Sequence, residues 1–283
     1  MTRSDSEPQI VVLIATLPNR QELLRRALAS VYAQSTPPGR TVLILDGESR
    51  DDVPLSCPTG QLIDVHSLVN LGSPGAANTW NTGIQYAAKH WPSCYVAMLD
   101  DDDEWDPDHL ATCLALARRN HWPDVVLSGL RMIQDGVERF RPPIGQAKKR
   151  DFLSGNPGWQ GSNTFIRLAT LLRAGGFTPG LTSCNDRDLA IRVLCLGDAR
   201  IVFTHRHTAS WHLDESRKAL SSNKNPKKLD GLAHFYALHG HRMTPDVRQS
   251  FFERAQTIFG WRQEDVVLRA VDYQDAAISS SQD

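Results

Sequence analysis

The chain has 283 residues and a formal net charge of −1, and 41% of its residues are hydrophobic. That hydrophobic share is typical of a folded globular protein and excludes a disordered chain. A net charge this close to zero excludes a general electrostatic attraction for nucleic acid or for an anionic membrane.

The cysteines and the N-terminus bear on the cell compartment. Five cysteines, an odd number, are scattered without CxxC spacing, which argues against a disulfide scaffold or a zinc site and favours a reducing compartment. Residues 1–8 are polar and predict a flexible leader rather than a signal segment. No apolar run is long enough to cross a bilayer, so we expect a cytoplasmic protein without a transmembrane segment.

Apolar runs alternate with amphipathic segments along the first half of the chain. In chain order, the pattern predicts a strand, a helix, two strands, a helix, a strand, a helix and a strand, over 9–16, 21–33, 41–45, 63–67, 75–89, 95–99, 106–118 and 125–128. Strands that alternate with helices of this length indicate βαβ units. We therefore predict an α/β fold with a doubly wound, mostly parallel sheet flanked by helices.

The second half follows a different pattern. Asp135-Gly136 separates two short apolar segments and predicts a tight hairpin. Beyond it, the sequence predicts a glycine-rich loop, a short helix, a longer helix and a late strand, over 155–161, 168–174, 186 onward and 200–204. From 225 onward the pattern is amphipathic and helical, and we expect the small, polar tail from 276 to fray.

Four consecutive aspartates, Asp100 to Asp103, follow the apolar strand over 95–99. The carboxyl ends of strands are where doubly wound folds bind ligands. Grouped carboxylates raise one another's pKa, and a bound divalent cation removes that penalty, so the run predicts an Mg²⁺ or Mn²⁺ site. Strand alternation would point Asp100 and Asp102 to one face and Asp101 and Asp103 to the other. A solvated acidic loop is the alternative.

Several blocks, in order, resemble the glycosyltransferase family 2 type of nucleotide-sugar transferase, which has a GT-A fold. They are IATLPNR, LDGES, NTGI, DDD, GSNTFIR, GGF and NDRDL, at 14–20, 45–49, 81–84, 100–102, 161–167, 175–177 and 185–189. Each motif is weak alone, whereas the ordered series is specific. The resemblance covers roughly residues 9–205 and implies a GT-A catalytic domain, to which we assign 9–220, with a nucleotide-binding half over 9–105 and an acceptor half over 106–220. A helical C-terminal extension over 221–283 lies outside it.

The resemblance also implies the donor contacts. The expected nucleotide-binding residues are Thr16, Pro18, Arg20, Asp46, Asn81, Asp100 and Asp101. Uridine diphosphate is the expected nucleotide, and thymidine and guanosine diphosphates stay open. Two positions depart from the family pattern: Asn185 replaces the usual glutamate, and Trp80 stands where many members carry a basic residue.

Asp102, with Asp100, would hold the metal, which neutralises the diphosphate leaving group. By the same resemblance, a histidine from the cluster after the late strand would complete the site. His207 is the first choice and His212 the second, and a satisfied polar role is the alternative for both.

An acceptor hydroxyl must also lose its proton, which requires a general base. In a helix that begins at Asn185, Asp186 and Asp188 point about 200° apart, so only one faces the site. The resemblance selects Asp186, and Asp188 is placed on the acceptor side or in an ion pair with Arg192. Trp159 and Gln160 are predicted acceptor contacts, with Trp159 stacking on a sugar or filling the core beneath its loop.

The sequence thus predicts an inverting, metal-assisted transferase that moves a sugar from a nucleoside diphosphate sugar to an acceptor hydroxyl. The first predicted strand is followed by TLPN rather than GxGxxG, which excludes an NAD-type Rossmann site. A sugar nucleotidyltransferase and a non-catalytic protein that binds sugar nucleotides or glycans on the same fold are the alternatives. The C-terminal helices have three open roles: a cover over the acceptor, a homodimer contact, or completion of the core.

Overall fold

A mixed sheet of nine strands forms the centre of the part of the chain that the computed structural model describes, residues 7–47, 65–70, 72–140, 144–213 and 223–279. The strands are β1 (Ile10–Thr16), β2 (Arg40–Leu45), β3 (Val65–Val69), β4 (Tyr95–Asp100), β5 (Glu104–Trp105), β6 (Val125–Gln134), β7 (Val137–Phe140), β8 (Thr164–Arg167) and β9 (Ile201–Leu213).

Helices cover both faces of this sheet and extend past its last strand. They are α1 (Gln21–Tyr32), α2 (Ala76–His90), α3 (His109–Arg119), α4 (Lys149–Ser154), α5 (Leu168–Arg173), α6 (Asn185–Cys195), α7 (Pro226–His239), α8 (Pro245–Phe259) and α9 (Gln263–Ser279). Short 3₁₀ turns lie at Gly161–Asn163 and Gly240–Arg242.

The strand order is β3-β2-β1-β4-β8-β6-β9-β5, with β7 paired to β6. β1, β2, β3 and β4 are parallel, and β6 is parallel to β9. β8 runs antiparallel between β4 and β6. The predicted α/β fold with a mostly parallel sheet and C-terminal helices is therefore confirmed, with an antiparallel strand inserted beside β4.

Two apolar clusters lie on opposite faces of the sheet because side chains alternate along each strand. In β1, Val11 and Leu13 pack with α2, α4 and the C-terminal helices, whereas Val12 and Ile14 pack with α1 and α3. The first cluster joins the sheet to α7, α8 and α9, so these helices share its core. Among the described residues, no helix is long and apolar enough to span a membrane.

Several elements differ from the sequence prediction. β5, α4 and β8 are too short for periodicity to reveal, and β9 runs to Leu213 rather than ending near 204 because it pairs with β6 and β5. α9 continues through Ser279, past the point where fraying was expected. Most of the predicted leader, Glu48-Ser49 of the second motif and the predicted boundary at 220/221 lie outside the described residues.

Candidate active site

The candidate site lies where β1 and β4 end side by side. Ala15 of β1 pairs with Asp100 of β4, so the acidic run begins at the same sheet edge as Thr16. The chain passes from β1 to β2 and β3 on one side and returns to β4 on the other. Such a reversal of strand order opens a crevice at the carboxyl ends of the strands.

A turn directly after β4 sorts the four aspartates into two pairs. The backbone N–H of Asp103 donates to the Asp100 carbonyl at 3.1 Å, which ends the strand at Asp100. The expected strand alternation is therefore wrong. Asp101 and Asp102 share one partner, Arg20, while Asp100 and Asp103 share another, Ser162.

The first pair faces the start of α1. Arg20 contacts Asp102 at 2.6 Å and Asp101 at 3.1 Å, and the Thr16 hydroxyl donates to Asp101 at 2.5 Å. Arg26, one turn and a half further along α1, donates to the Asp102 carbonyl oxygen. Thr16, Arg20, Asp101 and Asp102 therefore form one connected group at the crevice.

The second pair faces the 3₁₀ turn before β8. The Ser162 hydroxyl lies 2.5 Å from Asp103 Oδ2 and 3.3 Å from Asp100 Oδ2, and it accepts the backbone N–H of Asp100 at 3.1 Å. Trp105 donates its ring N–H to the Ser162 carbonyl at 2.6 Å. These contacts fix the turn beneath the carboxylates.

Three of the four carboxylates, those of Asp100, Asp101 and Asp103, have a raised pKa, and burial is the largest cause for each. Burial raises the pKa of Asp100 well above its ordinary value, and the charges of Asp103, Asp186 and Asp102 raise it further. Burial likewise raises the pKa of Asp101 to about 6, although the Arg20 charge and the Thr16 hydroxyl oppose it. For Asp103, burial and the Asp102 charge raise the pKa despite its bonds from Ser162 and the His212 N–H.

Asp186 lies in the first turn of α6 and approaches the same cluster. Its charge acts on Asp100, and the Gly161 backbone N–H stabilises its ionised form. A Cβ on Gly161 would lie 3.3 Å from Asp100 Oδ2, so this residue separates the two carboxylates. Burial raises the pKa of Asp186 to about 6, opposed by the Gly161 N–H and the Lys228 charge.

Two further predicted nucleotide contacts border the crevice. Asp46 follows β2, and its carboxylate accepts the Asn70 side-chain amide at 2.8 Å and the Gly75 backbone N–H at 2.7 Å. These bonds tie the end of β2 to the loop before α2. Pro18 is exposed in the loop after β1 and lies close to Gly47, where an added Cβ would come within 2.8 Å of the proline ring.

The side-chain amide of Asn81 forms two hydrogen bonds with the backbone of Phe177. Its amide nitrogen donates to the Phe177 carbonyl and its oxygen accepts the Phe177 backbone N–H, both at 2.8 Å. Gly176 lies beside Asn81 with a φ of 66°. A Cβ at this position would lie 2.5 Å from the Asn81 oxygen, so a residue without a side chain is required here. Asn81 therefore joins α2 to the loop after α5, and its contact with a nucleotide stays a prediction.

Burial corrects two of the predicted acceptor contacts, Trp159 and Asp188, whereas that of Gln160 stays a prediction. Trp159 is 1% exposed and packs edge-on against Phe152 in the core, so its ring is not available to stack on a sugar. The Gln160 side chain accepts the Asn163 backbone N–H and caps the 3₁₀ turn. Asp188 is 1% exposed and forms the expected ion pair with Arg192 at 2.6 Å, together with bonds from Thr178 and His239.

Replacement of Trp159 by Ala should therefore destabilise the protein by about 3–5 kcal/mol, because it empties a filled core position. Denaturant unfolding measures this loss. Phe140→Ala is the matched control, because Phe140 is 61% exposed and its removal should cost about 1 kcal/mol or less. Equal stability of the Trp159→Ala protein and the native protein would contradict the assigned core role.

The two candidate histidines lie apart on β9. The His207 ring packs against the Phe140 ring at a centroid distance of 5.1 Å and beside Gly129. His212, five residues further along, contacts Glu104 at 2.9 Å and donates its backbone N–H to Asp103 at 3.2 Å. The His212 backbone thus lies beside Asp103 and its ring beside Glu104, and metal ligation by His207 or His212 stays a prediction.

The donor set fits a hard divalent cation. Asp100 and Asp102 offer oxygen ligands, and the pKa of Asp100 is raised first by burial and then by the charges of nearby aspartates, which an added cation would offset. Within the described ranges, no three His, Cys, Asp or Glu side chains are already grouped as a ligand set. Arg20 brings a positive charge to 2.6 Å from Asp102.

Sequence reasoning missed two residues that organise the site. Ser162 bridges Asp100 and Asp103, and Arg26 holds the turn through the Asp102 carbonyl. Ser162 lies within a motif that the sequence singled out, yet serine at that position gave no sign of its two carboxylate partners. Arg26 is one of two adjacent arginines in α1, and its position in the helix did not distinguish it.

Comparison with known proteins gives one family match and several relatives. The family model described as "Glycosyl transferase family 2" matches residues 12–180. The succinoglycan biosynthesis protein ExoW of Rhizobium meliloti (strain 1021) is 38% identical over 107 residues, which is 36% of this chain and 32% of that protein. The putative colanic acid biosynthesis glycosyl transferase WcaA of Escherichia coli (strain K12) is 23% identical over 251 residues, 83% of this chain and 82% of that protein.

Solved structures share the fold over nearly the whole chain. S. aureus TarS (residues 1–349) in complex with UDP-GlcNAc superposes with a TM-score of 0.65 at 15% identity, covering 94% of this chain and 80% of that one. The mannosyltransferase PcManGT from Pyrobaculum calidifontis, in complex with GDP-Man and Mn²⁺, gives a TM-score of 0.56 at 16% identity and covers 97% and 76%. These likenesses establish a GT-A-like fold, and the family match over 12–180 establishes that the chain belongs to glycosyl transferase family 2 and transfers a sugar from a nucleotide sugar.

Proposed function

We propose that the protein is an inverting glycosyltransferase that moves a sugar from a UDP-sugar to an acceptor hydroxyl, with Asp186 as the general base. The observation that carries the proposal is the convergence of Asp100 and Asp186 on the Gly161-Ser162 turn. It brings a donor-side carboxylate and a candidate base to one crevice at the ends of β1 and β4.

The donor is assigned to the β1 side of the crevice. Thr16, Arg20 and Asp101 are connected there, and Asp46 borders it at the end of β2. Each oxygen of a carboxylate accepts more than one hydrogen bond, so Asp46 retains acceptor capacity for a nucleobase N–H. The UDP-GlcNAc complex of TarS supports a UDP-sugar, and the GDP-Man complex of PcManGT makes GDP-mannose the competing donor.

Asp100 and Asp102 would hold Mn²⁺ or Mg²⁺, and a cation bound there supplies charge neutralisation for the diphosphate leaving group. The complex of PcManGT with GDP-Man and Mn²⁺ supports the choice of cation. Arg20 contacts both Asp101 and Asp102, so it is placed to contribute to the same charge balance.

Asp186 provides the proton-accepting step. Its carboxylate takes the proton of the acceptor hydroxyl as the hydroxyl oxygen attacks the anomeric carbon. The bond between that carbon and the diphosphate oxygen breaks with its electron pair leaving on the diphosphate. A single displacement with no protein nucleophile inverts the anomeric configuration. The backbone N–H of Gly161 and the charge of Lys228 keep part of the Asp186 population ionised despite its burial.

The pH dependence follows from the Asp186 pKa of about 6. The base is active as a carboxylate, so kcat should rise with pH through about 6 and level off above it, with a roughly tenfold loss one unit below. Steady-state rates between pH 4.5 and 8 measure this rise, which is the acid limb of the pH profile.

Lys228 and Lys227 offer a matched pair of variants for this profile. Removal of the positive charge near Asp186 in Lys228→Gln should move the limb to higher pH, whereas Lys227→Gln, at an exposed neighbouring position, should leave it in place. A limb near pH 4 in the native protein would contradict the assignment of Asp186.

The reaction itself is tested by incubation of the purified protein with UDP-, TDP- and GDP-sugars and Mn²⁺. Release of nucleoside diphosphate, as the sugar is transferred to water or to a simple glycoside acceptor, identifies the donor, and NMR of the sugar product gives the anomeric configuration. We expect release from UDP-sugars and an inverted anomer. A retained anomer would overturn the mechanism, and absence of release from all donors would favour a non-catalytic sugar-nucleotide or glycan-binding role.

A further inference from the structure

One face of α7 is pressed against the turn that carries Asp186. Gly231, Phe235 and His239 are spaced four residues apart, so they lie in a row along the helix. Each contacts a residue within three positions of Asp186, namely Ser183, Arg187 and Asp188. The family match ends at residue 180, before both α6 and α7.

Gly231 is the point at which α7 lies closest to the turn before α6. A Cβ at this position would lie 2.0 Å from the Ser183 hydroxyl and 2.7 Å from the Ser183 backbone nitrogen. The hydroxyl belongs to a mobile side chain, whereas the nitrogen belongs to the backbone just before α6. Only glycine therefore allows α7 to lie this close to the turn.

Phe235 covers a buried arginine. The Arg187 guanidinium lies 4.2 Å from the Phe235 ring centroid, and it donates to the carbonyls of Phe152 and Leu153 in α4, each at 2.8 Å. Arg187 is 5% exposed and follows Asp186 directly. The residue next to the proposed base is thus fixed between α4 and α7.

His239 completes the row. Its Nε2 lies 2.9 Å from Asp188 Oδ1, and both residues are buried, at 3% and 1% exposed. The other ring nitrogen, Nδ1, has no hydrogen-bond partner among the described residues. We therefore place the ring proton on Nε2, which donates a hydrogen bond to Asp188. Asp188 also binds Thr178 and Arg192, which joins α6 to the loop after α5.

We propose that this row makes His239 a positioning residue for Asp186, and that the C-terminal helices hold the base rather than only completing the core. The inference rests on the proposed role of Asp186. Loss of the His239 bond leaves the Asp188 oxygen without a partner and loosens the first turn of α6, while the donor contacts on β1 and β4 stay in place. A base displaced by about 1 Å lowers the rate of the chemical step without weakening donor binding.

The test compares His239→Leu, His239→Gln and His234→Leu in the full chain. His239→Leu should lower kcat about tenfold or more, with the donor KM and the UDP affinity in calorimetry within about twofold of the native values. Gln carries an N–H donor near the position of Nε2, so His239→Gln should recover most of the rate. His234 lies on the same helix and stacks on Tyr273 at 4.4 Å, so His234→Leu is the matched control and should retain native kcat.

Three results would overturn the proposal: native kcat in His239→Leu, no recovery in His239→Gln, or equal losses of rate and UDP affinity. Gly231→Ala supplies a second variant, which should lower kcat with UDP affinity retained, and native kcat there would also count against it. Asp186→Asn, measured in parallel, separates the two claims. Full activity of that variant would remove the proposed base, whereas an inactive Asp186→Asn with a fully active His239→Leu would remove only the positioning role.

Discussion

Asp186→Asn should lower kcat by about 10²–10⁴-fold, the range that a general base contributes. Asparagine has the same shape but accepts no proton, so the acceptor hydroxyl attacks without assistance. The donor contacts at Thr16 and Asp101 lie on other elements, so UDP affinity should stay native. The measurement pairs steady-state transfer rates with calorimetric UDP binding.

Asp188→Asn is a useful comparison for that variant, because the two aspartates lie in the same turn of α6. Asp188 is buried and bonded to Arg192 and His239, so its replacement should lower the unfolding midpoint as well as the rate. Asp186 has no ion-pair partner among the described contacts, and burial raises its pKa, so Asp186→Asn should leave the midpoint native or higher. Native kcat in Asp186→Asn would show that another group takes the proton.

Asp102→Asn should abolish the metal dependence of nucleotide binding. Loss of an outer-shell partner of a metal costs roughly 10–100-fold in affinity, and loss of a direct ligand should exceed that range. EDTA should reduce the UDP affinity of the native protein to that of the variant and cause no further fall in the variant. Calorimetric titration with and without Mn²⁺ measures both effects.

Asp198→Asn is the control for that experiment, because Asp198 pairs with Arg173 on the exposed surface. Its nucleotide affinity should stay native with Mn²⁺ and fall with EDTA as in the unchanged protein. Asp102→Asn also removes one of the like charges around Asp100 and Asp103, so its fold should remain intact. Metal-dependent UDP binding that persists in Asp102→Asn would contradict the assignment of this ligand.

The sequence predicted the part of the site that local pattern determines. β1 and β4 are nearly continuous apolar runs, so their boundaries and buried positions follow from composition. The aspartate run begins at the last residue of β4, which places it at the ligand-binding edge of the sheet. The orientation of their side chains was not predictable, because a turn bond between Asp103 and Asp100 replaces strand geometry there.

The remaining parts depend on contacts between distant segments. Trp159 stands among glycines, which suggested an exposed loop, yet its ring fills a space formed by α4 and the sheet. β8 is four residues long, and its antiparallel place beside β4 is set by pairing partners rather than by its own sequence. The row on α7 has helical spacing, but the sequence does not reveal that α6 is what it packs against.

The proposed function requires a metal-dependent nucleotide site at the ends of β1 and β4. Calorimetric titration of the native protein with UDP, TDP and GDP tests for this site. Each nucleotide is titrated once with Mn²⁺ and once with EDTA. We expect tight binding of UDP that requires Mn²⁺, with weaker binding of TDP and GDP. Absence of binding by all three nucleotides, or UDP binding that is equal in Mn²⁺ and EDTA, would contradict the proposed site.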